Sequence, residues 1–495
     1  MDRYREIREL IINCSRGELK TIHKHIQSLS NSKSSQISKS GELIDAIREF
    51  PESSEVEILN KIKFDTKAKN ISLFYRSARS VINEALILEE NIDKQFEYSN
   101  SFRNKSAGRK KLILAEILLK KGLSEIGNLL LEEVISRSSK YEEFDQVIEA
   151  YEFLKLQSIV SGDIKEFDTI EKKLQDTEVK RDSIHKSKKL YENVLMYSNM
   201  PLPKAYKASV DVAVKKIGEL AKKVDSDTVA FFLNLVEAEQ LKISNKFAEA
   251  SEKYDELLLN VRSKAALQSS EREAQILIKS GNCLVQKGEY KEAKSIYEEA
   301  SELFKKSDYD HYILQTKIVF LDFYLKNYSE LKRTFDLRTK SRYITTLPYA
   351  VAQYDFFNGA LLHAKSKTAA AAKLLLAKSL PTPNISYQTQ LGMNFLLLIA
   401  GIELLPKNKN LAKRALTEAF KNIEEIKAVN TFNKRDRMLL RVFKKLRNRD
   451  YDFEVTQPVI EDDLKKLSEE QEFAWEPFSY EVFRFDNWIK AQLKS

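Results

Sequence analysis

Proline is absent from two long tracts of this chain, between Pro51 and Pro201 and again between Pro203 and Pro348. Proline ends or kinks a helix because it lacks a backbone N–H and clashes with the preceding turn. Within these tracts apolar residues recur at steps of three and four, the spacing that places them on one face of a helix. Glycine, which many tight turns require, occurs only 12 times in 495 residues. The sequence therefore predicts an all-α protein built from successive amphipathic helices.

The length of the chain limits how these helices can be arranged. A single hydrophobic core stops growing at about 250–300 residues, so 495 residues require several domains or a stack of repeats. Apolar residues make up 43% of the chain, which is enough to bury a core. A stack buries a continuous core of any length because each repeat contacts only its neighbours. Internal repeats are therefore the first feature to look for.

The segment from Ala274 to Ala300 carries the clearest repeat pattern. Small and large residues alternate on one helical face, which is how two antiparallel helices interlock. Gly281 lets a neighbouring helix approach closely, and Gly288 ends the first helix in the left-handed conformation. The positions that make up the pattern are Gly281, Gly288, Tyr290, Ala293, Tyr297 and Ala300.

This segment resembles a tetratricopeptide repeat, which has Gly, Gly, Tyr, Ala, an aromatic residue and Ala at these six positions. It departs from the family pattern at Leu277, Ser280 and Lys305, where the family favours Trp, Leu and Pro. The missing proline predicts a longer second helix. The resemblance implies an α-solenoid, a superhelical stack of antiparallel helix pairs.

Weaker copies of the pattern flank this repeat. Five positions in the second helices are taken as equivalent: Phe247, Tyr290, Tyr328, Thr368 and Ala412. The steps between them are 43, 38, 40 and 44 residues, whereas the family repeats about every 34 residues. Either each helix is about one turn longer than usual, or the connections are longer.

We expect three domains along the chain. They are an N-terminal helical domain in residues 1–100, the solenoid in residues 101–450, and an acidic then aromatic segment in residues 451–495 that caps the stack. Within the first domain we expect helices at 3–12, 17–29, 42–50 and 54–61, a polar linker at 30–40 and a long helix at 67–97.

Helix pairs without clear repeat identity are expected between the first domain and the repeats. They are 110–122 with 123–136, 141–162 with 164–175, and 179–200 with 203–223. The basic stretch from Arg103 to Lys111 is expected to be a loop and the start of a helix.

Catalytic and metal-binding patterns are missing from the sequence. His23 and His25 would lie about 200° apart on a helix, so they cannot share one metal ion. The sequence has no metalloprotease, phosphate-loop or dinucleotide-binding motif. Cys14 and Cys283 are too few for a disulfide framework. We therefore expect a protein that is not an enzyme and that holds no cofactor and no metal.

The amino terminus and the apolar runs bear on the compartment. The chain is charged from Asp2 onward, so it lacks the apolar core of a signal peptide. The longest apolar run, Met393–Ile402, is shorter than the roughly 18 residues that a bilayer span needs. We expect a cytoplasmic protein with no membrane span.

The segment from Lys434 to Arg449 is strongly basic, with eight basic residues and one acidic residue. Such a helix could bind an anionic partner such as nucleic acid or a membrane surface, because lysine and arginine attract phosphates without sequence preference. The alternative is an ordinary helix of the stack, whose charge is neutralised by the acidic residues of 461–472. The candidate contacts are Arg437, Arg441, Lys444, Lys445 and Arg447.

Both tryptophans of the chain, Trp475 and Trp488, lie within its last 21 residues. A terminal aromatic segment suits the exposed apolar end of a helical stack, and we expect it to act as a cap. Docking to a partner is the alternative, since tryptophan and tyrosine are enriched in binding hot spots.

The resemblance to tetratricopeptide repeats also implies a concave groove lined by the first helices. The groove positions of the clearest repeat are Gln275, Ile278, Asn282, Val285 and Gln286. Asn282 coincides with a frequent groove asparagine of the family, which hydrogen-bonds the backbone of a peptide. We therefore expect a scaffold or adaptor that binds a peptide or protein partner in this groove. The alternatives are a nucleic-acid-associated regulatory protein that uses residues 434–449, and a peptide-sensing signalling receptor.

Overall fold

The computed structural model describes residues 3–14, 16–30, 35–64, 68–87, 100–198, 200, 203–304, 309–331, 347–379 and 385–494. In these ranges the regular secondary structure is helical, and helices that follow one another in sequence pack together. The predicted all-α class and its arrangement in successive helix pairs are confirmed. The chain divides into two units. Unit 1 is 1–202, 212–233 and 260–269, and unit 2 is 203–211, 234–259 and 270–495.

Unit 1 begins with five helices that share one core. They are α1 (Arg3–Asn13), α2 (Arg16–Ser30), α3 (Ser35–Glu49), α4 (Glu55–Lys61) and α5 (Ala68–Ile87). The core is aliphatic around a central Phe74, with Ile7, Ile22, Ile47 and Ile82 all buried. The domain boundary predicted near residue 100 stays a prediction, because unit 1 continues past it.

The polar linker predicted at residues 30–40 is wrong for its second half. Residues 35–40 form the first turns of α3, and Ser40 is completely buried. The helix continues into Leu43 and Ile44, and the burial of that apolar face orders the polar turns before it. Residues 31–34, and residues 88–97 of the predicted long helix, lie outside the described residues.

The rest of unit 1 continues as long helices joined by short turns. They are α6 (Asn100–Lys120), α7 (Ser124–Lys140), α8 (Phe144–Ser161) and α9 (Ile164–Ser198), followed by parts of α10 (Pro203–Ala221), α11 (Asp227–Ile243) and α12 (Phe247–Ser263). The predicted pairing of α6 with α7 is confirmed. The stretch 103–111, expected to begin as a loop, lies inside α6.

Residues 164–198 form one helix, α9, where the sequence analysis predicted two. Two hydroxyl side chains near the predicted break bond to the backbone of the helix itself. Thr177 donates to the carbonyl oxygen of Lys173, and Ser183 donates to that of Val179, each over 2.7 Å. Because neither proline nor glycine interrupts this stretch, nothing forces the helix to end.

Unit 2 contains the clear repeats and the carboxyl-terminal region. Its further helices are α13 (Ser270–Lys287), α14 (Tyr290–Glu302), α15 (Tyr309–Tyr324), α16 (Pro348–Ala364), α17 (Thr368–Lys378), α18 (Tyr387–Leu404), α19 (Lys409–Val429), α20 (Lys434–Arg447), α21 (Phe453–Glu469) and α22 (Phe485–Gln492). The second helices α12, α14 and α17 begin at Phe247, Tyr290 and Thr368, three of the positions predicted to be equivalent.

The glycines of the clearest repeat have the predicted roles. A Cβ atom on Gly281 would lie 2.5 Å from Cε1 of Tyr297, so only glycine permits this approach of α13 and α14. Gly288 has a φ of +82° between the two helices. The predicted longer second helix is wrong, because α14 ends after 13 residues, where the N–H of Leu303 turns back to the carbonyl oxygen of Ala300.

Helix α18 lies at the centre of the core of unit 2. Its residues from Gln390 to Ile402 are all buried, which explains the long apolar run in this part of the sequence. It packs against α16, α17 and α19. Gly401 permits a close approach of Leu416, since a Cβ atom there would lie 2.9 Å from the Leu416 Cγ.

Candidate partner-binding site

The tail segment, defined here as residues 474–484, connects the end of α21 to α22 along the first helices of successive pairs. Trp475 contacts Tyr324 of α15, and Phe483 stacks on His363 of α16. Tyr480 stacks on Phe395 of α18. The capping role expected for this region stays a prediction, and its contacts extend well beyond the last helix pair.

Phe478 of the tail segment occupies an aromatic seat, defined as Tyr297, Phe320 and Tyr324. Its ring centroid lies 6.2, 5.9 and 6.4 Å from those three rings. The backbone N–H of Phe478 donates to the hydroxyl of Tyr324 over 2.8 Å. Phe478 has a φ of +62°, a conformation that a non-glycine residue rarely adopts. The contacts in the seat therefore hold the backbone in a conformation that it would not choose by itself.

Lys317 lies beside the aromatic seat and is half-buried. Its Nζ is 4.8 Å from the ring centroid of Phe478 and 5.4 Å from that of Tyr297. It also donates to Oδ1 of Asn282 over 2.6 Å. Burial lowers the pKa of Lys317 to about 8, with a smaller contribution from Lys242. The seat therefore combines aromatic faces with a half-buried cation.

A buried ion cluster fixes the far end of the tail segment. Arg435 of α20 donates from Nη2 to Glu481 over 2.9 Å and to Asp486 over 2.6 Å. The exposed fractions of these three side chains are 7%, 1% and 0%. Burial raises the pKa of Asp486, but hydrogen bonds and charge from Arg484 and Arg435 outweigh it and hold that pKa below its usual value.

Sequence analysis missed Arg435 as a site residue. The signal was its position, because Arg435 falls on the same face of α20 as the buried Met438, Leu439 and Val442. A charged residue on an apolar stripe requires a buried partner of opposite charge. Those partners, Glu481 and Asp486, lie 46 and 51 residues further along the chain, so no local pattern marks them.

Glu403, at the end of α18, binds the helix that follows the tail segment, α22. Its carboxylate accepts hydrogen bonds from Nε1 of Trp488 over 3.0 Å and from Thr368 over 3.2 Å, and lies 3.1 Å from Nε2 of His363. Burial raises the pKa of Glu403, but the contacts with His363, Trp488 and Thr368 outweigh burial and hold it below its usual value.

A cavity of about 720 Å³ lies between the tail segment and the ends of α15, α16 and α18. Its walls are aromatic and its polar groups include Glu403 and three cations, Lys326, Lys407 and Arg484. Nε1 of Trp475 is buried and has no hydrogen-bond partner among the described residues. The cavity can therefore take an apolar side chain, with charged groups at its edge.

The predicted groove residues differ in their surroundings. Asn282, Val285 and Gln286 line a second cavity of about 400 Å³ together with Phe478, so three of the five lie beside the tail segment. Gln275 and Ile278 do not line it; Gln275 is exposed and Ile278 half-buried.

Asn282 and Val285 are constrained by their neighbours. The Oδ1 atom of Asn282 already accepts from the hydroxyl of Tyr297 over 2.7 Å and from Lys317. Val285 is buried in the core of the repeat and forms a wall of the second cavity. Gln286 is exposed at its edge.

Glu239 of α11 is a buried carboxylate near these first helices. Its oxygens accept hydrogen bonds from Lys279 over 2.6 Å, from Lys242 and Tyr206 over 2.8 Å, and from Tyr254 over 3.1 Å. Burial raises its pKa, but the charges of Lys279 and Lys242 outweigh burial and place the pKa well below the usual value. Glu239 thus has a structural role, since all its neighbours are donors.

The basic residues of α20 are largely engaged within unit 2. Asp463 lies 3.3 Å from Arg441 and 2.7 Å from Lys445, and Glu424 lies 2.5 Å from Lys444. Arg447 stacks over the ring of Phe420 at 4.9 Å. Arg437 is exposed. Contacts from neighbouring helices therefore engage four of the five residues predicted for an anionic partner.

The described residues offer neither a metal-binding cluster nor a membrane-spanning helix. No group of three or more His, Cys, Asp or Glu side chains within the described ranges is arranged to hold a metal ion. No helix in those ranges is long and apolar enough to cross a membrane.

Comparison with known proteins gives structural likenesses only. No family model matches the chain, and no curated protein matches it. The solved structures with a similar backbone include the apo form of RapI, with a TM-score of 0.34 and 13% sequence identity. That match covers 79% of this chain and 99% of RapI. The fold described above rests on the helices and their contacts and not on this likeness.

Proposed function

We propose that this protein is a cytoplasmic, non-enzymatic scaffold whose TPR-like helix pairs bind an extended peptide segment of a partner protein. The observation that supports this best is the tail segment on the first helices of unit 2. A main-chain hydrogen bond to Tyr324 and the seating of Phe478 are the kinds of contact by which proteins recognise extended peptides. The surface thus has the chemistry to bind such a peptide.

The cavity of about 720 Å³ leaves room for a partner beside the tail segment. Lys326 and Lys407 are exposed at its edge, where they can pair with carboxylates of the partner. Aromatic walls bind apolar side chains at little entropic cost because their rings have few rotatable bonds. We propose that a partner peptide either enters this cavity or replaces the tail segment around Phe478.

The repeat positions fit the same proposal. Gln275 and Gln286 are exposed and are proposed to contact the partner directly, and Ile278 to supply a half-buried apolar surface. Asn282 and Val285 would shape the wall beside the aromatic seat, since the Asn282 oxygen already has two donors. A nucleic-acid role for residues 434–449 has less support, because most of their charge is engaged within unit 2. The peptide-sensing receptor remains a narrower form of the proposal.

The test uses the tail sequence as a peptide added in solution. The double variant Trp475→Ser/Phe478→Ser removes the two rings of the tail segment that contact Tyr324 and leaves the ion cluster at Arg435 intact. A labelled peptide of residues 474–484 should bind this variant at least about tenfold more tightly than the wild-type chain, because the seat is then empty. Fluorescence anisotropy measures both affinities.

Two controls make the result specific. The same peptide with serine at the Phe478 position should bind neither protein, since the ring supplies the main anchor. The variant Tyr309→Ser removes an exposed aromatic residue that lies outside the seat, and it should behave as the wild type. If the peptide fails to bind the double variant while helical content and thermal unfolding are preserved, the proposed function is wrong.

A further inference from the structure

A cationic cleft lies between α9 and the carboxyl-terminal part of α10, within unit 1. We call it the lysine cleft. On α9 it is lined by Lys186, Lys189, Leu190 and Asn193, and its volume is about 380 Å³. It is formed by different residues from the site proposed above, and its function does not depend on that proposal.

The other side of the lysine cleft repeats the same spacing. It is lined by Lys216, Glu219, Leu220 and Lys223. On both sides the lining positions are i, i+3, i+4 and i+7, so each helix presents one continuous face. Both faces have a lysine first and a leucine at the third lining position. The cleft is therefore two matching helical faces, each with an apolar centre and a charged edge.

The four lysines of the lysine cleft are available to a ligand. All four are exposed, and within the described ranges none of them forms an ion pair. Glu219 is the single acidic residue among the lining residues. Four like charges around one cleft repel one another and attract an anion, and this attraction acts over about 10 Å at 0.1 M salt.

The lining chemistry distinguishes between classes of anionic partner. Leu190 and Leu220 are half-buried at the centre, where an apolar side chain can be covered. The described lining residues include no arginine for bidentate phosphate contact and no aromatic ring for stacking on bases. A ligand with carboxylates on either side of an apolar residue matches both the leucines and the lysines.

The length of the cleft fits a helical ligand. Each lining face spans seven residue steps, which is about 10 Å along a helix and about two turns. An amphipathic helix that lies on two others buries its apolar stripe between them. Exposed Met196 and Val212 extend the two faces with further apolar surface, at 47% and 46% exposure.

We propose that the lysine cleft is a docking site for an acidic amphipathic helix of a partner protein. Leucine-type side chains of that helix would cover Leu190 and Leu220, and its glutamates or aspartates would pair with the four lysines. Apolar contact supplies specificity for a folded helical face, and charge supplies rapid, salt-sensitive association.

The experiment uses a labelled acidic amphipathic peptide of about four turns, with leucines on one face and glutamates on both flanks. The wild-type chain should bind it at low salt. Changing the four cleft lysines to glutamine should weaken binding by about tenfold or more, since each exposed ion pair contributes a few-fold. The matched control changes Lys165, Lys172, Lys215 and Lys222 to glutamine, which removes equal charge from exposed positions outside the cleft. It should lose less than about threefold.

Further probes distinguish the sources of attraction. A peptide of the same composition with its leucines scattered around the helix should bind more weakly, and Leu190→Asp should weaken the original peptide. The proposal is overturned if random duplex DNA or polyglutamate binds the cleft as tightly as the amphipathic peptide. It is also overturned if the two quadruple variants lose equal affinity, or if the wild-type chain does not bind the peptide at low salt. Circular dichroism establishes that every variant is folded.

Discussion

Helix α20 and the lysine cleft are both rich in positive charge. Most of the charges of α20 are engaged by neighbouring side chains, whereas those of the cleft are not. In α20, Arg435 is buried in an ion cluster, and Arg441 and Lys445 share the buried carboxylate of Asp463. In the lysine cleft, four exposed lysines surround two leucines and make no ion pair among the described residues. Both regions are basic in sequence, but they differ in how much of their positive charge is available to an external anion.

The difference shows that carboxylates far away in the sequence determine whether a basic helix can bind an external anion. Asp463 and Asp486, which engage Lys445 and Arg435, lie 18 and 51 positions further along the chain. A buried ion pair has lost its water, so separating it to bind an external anion would cost several kcal/mol. Exposed lysines keep their hydration and can exchange it for a partner at little cost. Unpaired cations are therefore better indicators of an anion-binding surface than a run of basic residues.

The largest predicted effect comes from Arg435. Replacing it by methionine, Arg435→Met, leaves Glu481 buried without its cation and should lower the free energy of unfolding by about 3–5 kcal/mol. Urea unfolding followed by tryptophan fluorescence measures this loss. Both tryptophans of the chain lie in its last 21 residues, so the signal reports on this region.

Arg437→Met is the matched control for this prediction. Arg437 lies two residues away on α20 and is exposed, so its loss should change the free energy of unfolding by less than about 0.5 kcal/mol. Similar losses in the two variants would mean that the buried cluster does not hold the tail segment. The comparison between engaged and free charge would then fail at its strongest point.

Lys317 adds a third kind of lysine, one that is half-buried and lies among aromatic rings. Its pKa of about 8 lies below the ordinary value of 10.5 because burial penalises the charged form. Between these two pH values the unfolded chain binds more protons than the folded chain, so the free energy of unfolding should rise with pH. The contribution of Lys317 to that rise should be about 1–3 kcal/mol.

The variant Lys317→Met tests this pH dependence. Urea unfolding between about pH 8 and about pH 10 should show a flatter pH dependence in the variant than in the wild type. Lys216→Met, in the lysine cleft, should leave the wild-type slope unchanged because Lys216 is exposed. An equal slope in wild type and Lys317→Met would show that the charged form of Lys317 is not penalised by burial.

The parts of this fold that the sequence predicts are those set by neighbours in the chain. Tyr290 and Thr368 mark the starts of second helices because small and large residues alternate within a single helical hairpin. Gly281 was predictable for the same reason, since Tyr297 is only sixteen residues away. Local pattern and local packing coincide in these elements.

The candidate site depends on contacts that no local pattern records. Phe478 contacts Tyr324 across 154 residues of sequence, and its backbone there is left-handed. The aromatic composition of the tail indicated burial but not which helices would cover it. The lysine cleft was likewise hidden, because its two faces are ordinary amphipathic helices until they are brought together.

Asp463 provides a smaller and more direct test of the engaged charges. The variant Asp463→Asn keeps the shape of the side chain but releases Arg441 and Lys445, and should lower the free energy of unfolding by about 1–2 kcal/mol. The released cations should also make the protein elute later from a cation-exchange column.

Glu461→Gln is the control because it makes the same change in net charge at an exposed position of α21. If the two variants elute together and unfold alike, Asp463 does not restrain the cations of α20. A later elution of Asp463→Asn alone would support the view that a buried carboxylate removes α20 from the anion-binding surface.

The smallest predicted effect has the opposite sign and concerns the lysine cleft. The variant Lys186→Gln/Lys216→Gln should raise the free energy of unfolding of unit 1 by a few tenths of a kcal/mol at low salt, because it relieves repulsion between like charges. Salt screens such repulsion, so the gain should disappear at about 0.5 M. Thermal unfolding followed by circular dichroism at both salt concentrations measures it. A loss of stability instead would mean that these lysines already have acidic partners, and the contrast with α20 would disappear.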